Sequence, residues 1–250
     1  MIRAMTPRLS ILMPVYNELK TVERAIAETL ETKMPVDREL VIVDDGSTDG
    51  TREILTGTKW PKEVRVILHD QNQGKGAAVR TALQAAIGEY SAILDADLEY
   101  EPADLVDLMV PLLDGKANVA YGVRAFDGSS SHSFLYVLGN RGVTLACNIL
   151  FNVYLRDIMT CHKVIRTEIF QSLELRETGF AIEPEITARL IQRGEKIVEL
   201  PVHYAARPTS EGKKLTSADG FRVIRSLLRL RMDGGRPAAA APVLSAPQSD

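Results

Sequence analysis

Four short apolar runs, separated by stretches with helical spacing, constrain the fold of this chain more than any other feature. They cover residues 9–15, 40–43, 64–68 and 91–94. Continuous apolar runs of this length are typical of strands buried on both faces. Strands that alternate with helices form βαβ units and a largely parallel sheet. The pattern therefore predicts an α/β fold with a central sheet flanked by helices.

Side chains able to bind a ligand follow each of these runs. They are Tyr16 and Glu18, then Asp44 and Asp45, then Gly74, Lys75 and Gly76, then Asp95 and Asp97. In a doubly wound sheet the carboxyl ends of the strands converge on one crevice, so we expect these residues to surround one pocket. A helix that begins at a glycine-flanked lysine suits a phosphate. No GxGxxG follows the first run and no GxxxxGK[ST] is present, which weighs against dinucleotide and P-loop sites.

The pair Asp95 and Asp97 has two interpretations. Two carboxylates at a strand end repel each other unless a cation lies between them, and Mg²⁺ or Mn²⁺ would suit their oxygen atoms. Alternatively, Asp97 is the N-cap of a helix through Pro102, with Glu99 in the first turn. These residues alone leave both interpretations open.

Composition excludes several classes of protein. A net charge of −3 gives no global positive field for nucleic acid, and 45% hydrophobic residues in 250 suffice for one full core. Cys147 and Cys161 lack CxxC spacing, which favours reduced thiols in a cytosolic protein. Residues 1–8 are too short and too polar for a signal peptide. We therefore expect a cytoplasmic protein.

Two segments invite a membrane interpretation. Residues 133–155 carry a single charge, Arg141, but Arg141 and two asparagines fall on one helical stripe, which predicts a buried or interfacial helix rather than a span. Residues 218–232 combine an arginine face with an apolar face, as does a basic amphipathic helix on an anionic membrane. An ordinary surface helix has the same pattern. The Ala-, Pro- and Ser-rich residues 233–250 are predicted to be disordered.

The order and spacing of the motifs resemble family 2 glycosyltransferases of the GT-A fold, and polyprenol-phosphate sugar synthases of the dolichol-phosphate mannosyltransferase type in particular. The matching motifs are PVYNE at 14–18, VDDGSTDGT at 43–51, NQGKG at 72–76, DADLE at 95–99 and EGKK at 211–214. The resemblance covers residues 9–232 and implies a Rossmann-like, mostly parallel sheet. It divides the chain into an extension (1–8), a GT-A domain (9–216), a basic amphipathic helix (217–232) and a tail.

The resemblance also implies roles at the donor site. A nucleotide sugar would be held by Pro14, Tyr16, Glu18, Asp44, Asp45, Lys75, Asp95 and Ala96. Asp95 and Asp97 would bind Mg²⁺ or Mn²⁺, with Glu99 as a further ligand where many relatives have Gln. The ion would neutralise the departing nucleoside diphosphate. Both GDP-mannose and UDP-glucose fit this pattern as donors.

For the acceptor the resemblance implies a polyprenyl phosphate, reached by peripheral contact with the membrane. Candidate cations are Arg124, Arg141, Lys163, Arg207, Lys213 and Lys214. A lipid phosphate is already an anion near neutral pH, so it needs positioning more than a base. The expected catalytic residues are Asp97, Arg124 and Asp157, and Asp157 is the candidate base if the acceptor is a sugar or soluble hydroxyl. Asp157, Glu183 and Glu185 also suit structural capping roles.

Together with the resemblance, these residues imply an inverting, metal-dependent hexosyltransferase. Many polyprenol-phosphate sugar synthases add transmembrane helices after the catalytic domain, and we expect none here, as in the soluble members. A nucleotide-binding scaffold with an inactive site is the non-enzyme alternative, which the intact run of acids disfavours.

Overall fold

The computed structural model describes residues 8–124, 134–206 and 217–233. Within these ranges the strands are β1 (Leu9–Val15), β2 (Arg38–Asp44), β3 (Val64–Leu68), β4 (Tyr90–Ile93), β5 (Val119–Arg124), β6 (Lys163–Arg166) and β7 (Ile197–Val202). The helices are α1 (Val22–Glu31), α2 (Thr51–Gly57), α3 (Lys75–Ala85), α4 (Asp104–Leu113), α5 (Phe134–Phe151), α6 (Thr167–Gln171), α7 (Ile182–Gln192) and α8 (Ser217–Asp233).

The described strands form one sheet in the order β3-β2-β1-β4-β6-β5-β7. β1 pairs in parallel with β2 and β4, β2 with β3, and β5 with β7. β6 is antiparallel to both of its neighbours, β4 and β5. The predicted α/β class with a mostly parallel sheet is therefore confirmed.

The two faces of the sheet bury different hydrophobic clusters because successive strand side chains point to opposite sides. On β1, Ile11 and Met13 join a cluster with α1 and α4. Leu12, between them, joins a second cluster with α3 and α7. Helices on both faces explain why these strands are apolar without alternation.

α2 begins at Thr51, directly after Gly50, which has φ 105°, and the Asp49 carboxylate accepts the Thr51 N–H (3.0 Å). The structure corrects the predicted helix start at Asp97. The next helix, α4, begins only at Asp104, seven residues after Asp97, so Asp97 is not its N-cap. The Asp97 carboxylate instead accepts the Glu99 N–H (3.1 Å) within a turn. Of the two interpretations of Asp97, the cap is wrong.

A third cluster joins α5, α7 and α8 and includes Val143, Cys147 and Leu227. Across the described ranges, no helix combines the length and apolarity needed to cross a membrane. Both cysteines are free thiols. The extension before residue 8 and the tail after residue 233 lie outside the described residues.

Candidate functional site

The carboxyl ends of β1 and β2 are tied together by their loops. Asn17, at φ 55°, donates its N–H to Ser47 Oγ (2.9 Å) and accepts the Thr48 N–H on its side-chain oxygen (2.8 Å). Glu18 donates its N–H to Thr51 Oγ1 (2.9 Å). No role was predicted for Asn17, Ser47 or Thr51, although they lie inside the motifs at 14–18 and 43–51. These bonds fix the loop that presents Tyr16, whose ring is exposed.

Asp44 and Asp45 are buried, and their oxygens already accept hydrogen bonds from the protein. Asp44 accepts Arg52 Nε (2.6 Å) and the Ser47 N–H (3.2 Å). Asp45 accepts the N–H groups of Gln73 (3.0 Å) and Gly74 (2.7 Å) and lies 2.7 Å from His69 Nδ1. Asp45 thus joins β2 to the loop before α3, and Asp44 joins β2 to α2. A contact with a nucleoside stays a prediction for both.

The glycines on either side of Lys75 allow the backbone of residues 177 and 178 to approach the start of α3 closely. A Cβ on Gly74 would lie 2.4 Å from the Thr178 carbonyl oxygen, and one on Gly76 would lie 2.4 Å from that of Glu177. The Thr178 carbonyl accepts the N–H groups of Gly76 (2.7 Å) and Ala77 (3.3 Å). The N–H groups of Gly76 and Ala77 therefore bind a protein carbonyl, and a phosphate at this helix N-terminus stays a prediction. The Lys75 side chain is the part of the motif that faces the site.

Lys75 and Asp95 form the central ion pair of the site. Lys75 Nζ lies 2.7 Å from Asp95 Oδ2 and 2.8 Å from Cys161 Sγ, at the start of the strand next to β4. Burial alone would raise the pKa of Asp95, but the charge of Lys75 and the hydrogen bonds from Cys161 and Lys75 together outweigh burial, so the pKa is lowered. Burial would likewise lower the pKa of Lys75, but Asp95, Cys161 and Glu183 raise it well above its ordinary range. The pair is therefore ionised at neutral pH.

Glu183, at the start of α7, extends this pair into the core. Its Oε1 lies 3.3 Å from Lys75 Nζ, and its Oε2 pairs with Lys163 Nζ. Lys163 is fully buried, lies over the Tyr121 ring (4.9 Å) and also donates to the carbonyl of Ile158 (3.2 Å). Lys163 thus does not reach an acceptor at the surface. Both residues are instead links in a buried row of alternating charges.

The neighbouring acids Asp97 and Glu99 lie on a turn that contacts β7's end. Glu99 Oε2 accepts the Tyr204 hydroxyl (2.9 Å), and the Glu99 carbonyl accepts the Ala205 N–H (2.9 Å). The Tyr204 ring also lies 5.1 Å from the Arg124 guanidinium. Tyr204, for which no role was predicted, thereby connects a predicted metal ligand to a predicted acceptor residue.

Arg124 and Asp157 form a buried bidentate ion pair. Arg124 Nε lies 2.7 Å from Asp157 Oδ2, and Nη2 lies 2.9 Å from Oδ1. Asp157 Oδ1 also accepts the Met159 N–H (3.2 Å). Two of the three predicted catalytic residues are thus brought together, but as partners of each other.

An aromatic stack lies behind the metal-ligand candidates. The rings of Tyr100 and His162 are 4.6 Å apart and nearly parallel, and the Tyr100 hydroxyl accepts the Cys161 N–H (3.3 Å). Burial lowers the pKa of His162 and raises that of Tyr100 well above its usual range. Both rings are therefore neutral at pH 7 and support the segment that places Cys161 beside Asp95.

The other predicted site residues are scattered. Pro14 is half-buried in β1, Ala96 is buried in the core, and Arg141 is exposed on α5. Glu185 is buried and accepts the N–H groups of Arg176 and Glu177, so it has a structural role, but in holding the loop before α7 rather than in capping the helix. Arg207, Lys213 and Lys214 lie outside the described residues.

The acids at the end of β4 suit a divalent cation chemically. Asp95 already holds one cation, the Lys75 ammonium, and Asp97 is oriented by its own turn. Across the described chain, no three His, Cys, Asp or Glu side chains are grouped to hold a metal. Mg²⁺, however, usually takes one or two carboxylates together with substrate phosphates rather than a cage of protein ligands.

Solved structures with this fold include glucosyl-3-phosphoglycerate synthase from Mycobacterium tuberculosis in complex with UDP. It matches with a TM-score of 0.66 at 23% identity, over 90% of this chain and 80% of that one. The same enzyme in complex with Mn²⁺, UDP-glucose and phosphoglyceric acid matches with a TM-score of 0.66 at 22% identity, over 90% and 80%. These matches confirm the predicted GT-A fold.

Curated relatives include glycosyltransferase AglJ of Haloferax volcanii, 30% identical over 221 residues, or 88% of this chain and 70% of the relative. The dolichol-phosphate mannosyltransferase of Pyrococcus furiosus is 26% identical over 227 residues, or 89% of this chain and 63% of the relative. The model of the family described as "Glycosyl transferase family 2" matches residues 10–173. The predicted identity is therefore confirmed: the chain belongs to glycosyl transferase family 2, whose members transfer a sugar from a nucleotide sugar.

Proposed function

We propose that this glycosyltransferase moves a hexose, with inversion and with the help of a divalent cation, from a nucleotide sugar to a polyprenyl phosphate. Mannose from GDP-mannose and glucose from UDP-glucose are the candidate donors. The similarity to a dolichol-phosphate mannosyltransferase over 89% of the chain supports this acceptor class. The observation that carries the proposal is an exposed apolar surface on α5 and α8.

Two neighbouring helices each leave an apolar stripe exposed. α5 and α8 pack on each other through Val143, Cys147, Val223 and Leu227. Three exposed residues at intervals of seven and four form the stripe on each helix: Leu138, Leu145 and Ile149 on α5, and Phe221, Leu228 and Met232 on α8. Ile149 is 71% exposed and Phe221 72%. We call these six residues the α5–α8 face.

Arginines accompany this apolar face. Arg141 is exposed on α5, and Arg225 and Arg231 are exposed on α8. Arg229 pairs with Glu177 (2.6 Å). A helix with basic and apolar surface lies in the interface of an anionic membrane, where its apolar side chains enter the lipid. The face would hold the enzyme where a polyprenyl phosphate presents its head group.

The chain's own residues would then act as follows. Tyr16, Pro14 and Glu18 would hold the nucleoside at the carboxyl end of β1, and Lys75 the diphosphate. Asp95 and Asp97, with Glu99 beside them, would hold a Mg²⁺ or Mn²⁺ ion, which when bound neutralises the diphosphate leaving group. Arg124, held in one orientation by Asp157, would position the lipid phosphate. A phosphate oxygen then attacks the anomeric carbon as the bond to the diphosphate breaks.

The alternative acceptor, a sugar or soluble hydroxyl, requires a carboxylate base. Asp157 is the candidate, but both of its oxygens bind Arg124. Accepting a proton there would cost that ion pair. This geometry favours the phosphate acceptor, because a lipid phosphate needs no base.

The experiment supplies radiolabelled GDP-mannose or UDP-glucose together with polyprenyl phosphate vesicles, with and without Mn²⁺. We expect label in the butanol-extracted lipid, dependent on metal and lost in Asp97→Asn. Asp114→Asn, at an exposed pair with Lys116, is the matched control and should retain activity. Label confined to water-soluble product would contradict the lipid acceptor and favour the hydroxyl alternative.

A further inference from the structure

Lys75 lies between two carboxylates of different accessibility. Its Nζ is 2.7 Å from Asp95 Oδ2 and 3.3 Å from Glu183 Oε1. The Asp95 side chain is 17% exposed, whereas that of Glu183 is only 2% exposed. The ammonium thus joins a carboxylate open to the crevice with one that belongs to the core.

The carboxylate oxygen of Glu183 that lies nearest to Lys75, Oε1, can still accept a hydrogen bond. Its Oε2 is occupied by Lys163. Its Oε1 is buried and accepts no hydrogen bond from any described residue, although Lys75 Nζ is within ion-pair distance. A buried carboxylate oxygen without a donor is costly, so a small approach of the ammonium would satisfy it.

We propose that Lys75 exchanges between Asp95 and Glu183, and that it yields the Asp95 carboxylate to the divalent cation on which the proposed function depends. Lys75 and the ion compete for Asp95 because both are cations that need the same oxygens. Glu183 makes the exchange possible, since it keeps the buried ammonium paired after the move. Lys75 is then a positioning and gating residue for the metal site as well as a cation near the diphosphate.

The required movement is short. A charge-assisted N–H···O bond is about 2.8 Å long, so Nζ need approach Glu183 by only about half an ångström. Lysine has a flexible four-carbon stem that allows such a shift. Lys163 remains on Glu183 Oε2 throughout, so the row from Lys163 to Lys75 never contains an unpaired buried carboxylate.

A static Lys75–Asp95 pair makes a different prediction. If Lys75 served only to hold Asp95 in place, removing it would disorder the carboxylate and weaken metal binding. If Lys75 competes for Asp95, removing it strengthens metal binding. The direction of the change in Mn²⁺ affinity therefore separates the two models.

The experiment measures Mn²⁺ binding by calorimetry, with neither nucleotide sugar nor lipid present. Wild type is compared with Lys75→Met, Glu183→Gln and the double variant, and Lys116→Met serves as the control at an exposed lysine. We expect K75M to bind Mn²⁺ about 10-fold more tightly, because a neighbouring cation changes the affinity of a carboxylate by that order. We expect E183Q to bind more weakly, because Lys75 loses its second carboxylate.

The double variant tests whether Glu183 acts through Lys75. If it does, the double variant binds Mn²⁺ as tightly as K75M does, since no ammonium remains to be relocated. If Glu183 acts only through its negative charge, the double variant binds more weakly than K75M, which would overturn the exchange. Interaction energies of residues in contact are measured in this way.

Folding is followed by circular dichroism, and the Mn²⁺-induced rise in Tm provides a second measure of binding. Lys75→Gln is measured in parallel, so the comparison stands even if K75M does not fold. Unchanged or weaker Mn²⁺ binding in folded K75M and K75Q would overturn the exchange while leaving the proposed transfer intact. Mn²⁺ binding in neither wild type nor these variants, even after UDP or GDP is added to supply phosphate oxygens, would overturn the exchange and the metal's part in the proposed function together.

Discussion

Arg124 and Asp157 meet at two points, with Nε 2.7 Å from Oδ2 and Nη2 2.9 Å from Oδ1. Both residues are about 95% buried, so neither charge can be solvated if the other is removed. The Tyr204 ring lies 5.1 Å from the guanidinium. The pair therefore fixes the plane of the guanidinium at the end of β5.

Asp157→Asn is expected to lower the free energy of unfolding by about 3–5 kcal/mol, because it leaves a buried, uncompensated guanidinium. Urea denaturation measures the change. Asp114→Asn, which breaks an exposed pair with Lys116, should change it by less than about 1 kcal/mol. A D157N protein of wild-type stability that had lost all transfer would contradict the positioning role and favour a general base.

Gly76→Ala is expected to lower stability by about 1–3 kcal/mol, because its new methyl group would lie 2.4 Å from the Glu177 carbonyl oxygen and overpack the site. Thermal or urea unfolding tests this. The matched control is Gly139→Ala in α5, where nothing lies within 4 Å and alanine should stabilise the helix by up to about 1 kcal/mol. Equal effects of the two changes would show that the close approach of residues 177 and 178 is not required.

The double variant Phe221→Ser/Leu228→Ser should bind vesicles of phosphatidylserine at least about 10-fold more weakly than wild type, because two apolar side chains no longer enter the lipid. Co-sedimentation measures binding, which should also fall as salt screens the arginines. Ile87→Ser/Val110→Ser removes two exposed apolar side chains from another part of the chain and is the control. Equal losses in the two variants would contradict a specific role for the α5–α8 face.

Stability should decline above about pH 9, in part through Cys147. Burial raises the pKa of this thiol to about 12, against about 8.5 when exposed. The pKa of Cys147 is higher in the folded than in the unfolded protein, so the buried neutral thiol contributes its full stabilisation below about pH 8.5. This contribution is lost as the pH rises towards 12. The stability difference between wild type and Cys147→Ala should shrink by up to about 1.4 kcal/mol per pH unit between pH 9.5 and 11.

Urea denaturation at several pH values measures this difference. Burial also raises the pKa of Tyr100, Tyr121 and Cys161, but these groups are present in both proteins and cancel in the comparison. A difference independent of pH would show that the Cys147 thiol titrates normally in the folded protein.

The strands could be predicted from the sequence because burial alone determines them. β1 and β3 begin and end at the predicted residues, since their apolar runs stop where the chain leaves the sheet. β6 could not be oriented from the pattern, because a strand after a helix normally predicts a parallel crossover. Here the chain turns back after α5, and β6 runs antiparallel.

The residues of the site could be predicted from the sequence, but not which of them form ion pairs with one another. Lys75 and Asp95 were both expected in the crevice, yet their 2.7 Å contact depends on how α3 packs beside β4. The hydrogen bonds of the Gly76 and Ala77 N–H groups depend on the Thr178 carbonyl, about a hundred residues later in the chain. Glu183 was expected only to begin a helix, because local sequence does not reveal which two lysines it meets.

The position of β6 between β4 and β5 has a consequence for how the enzyme folds. β5 is synthesised before β6, yet among the described strands it pairs only with β6 and β7, so it has no place in the sheet until β6 arrives. The edge of β4 stays open for the same period, and pairings this distant in sequence form slowly. We therefore expect the first four strands to assemble early, and the charged row from Asp95 to Lys163 to close only when β6 enters the middle of the sheet.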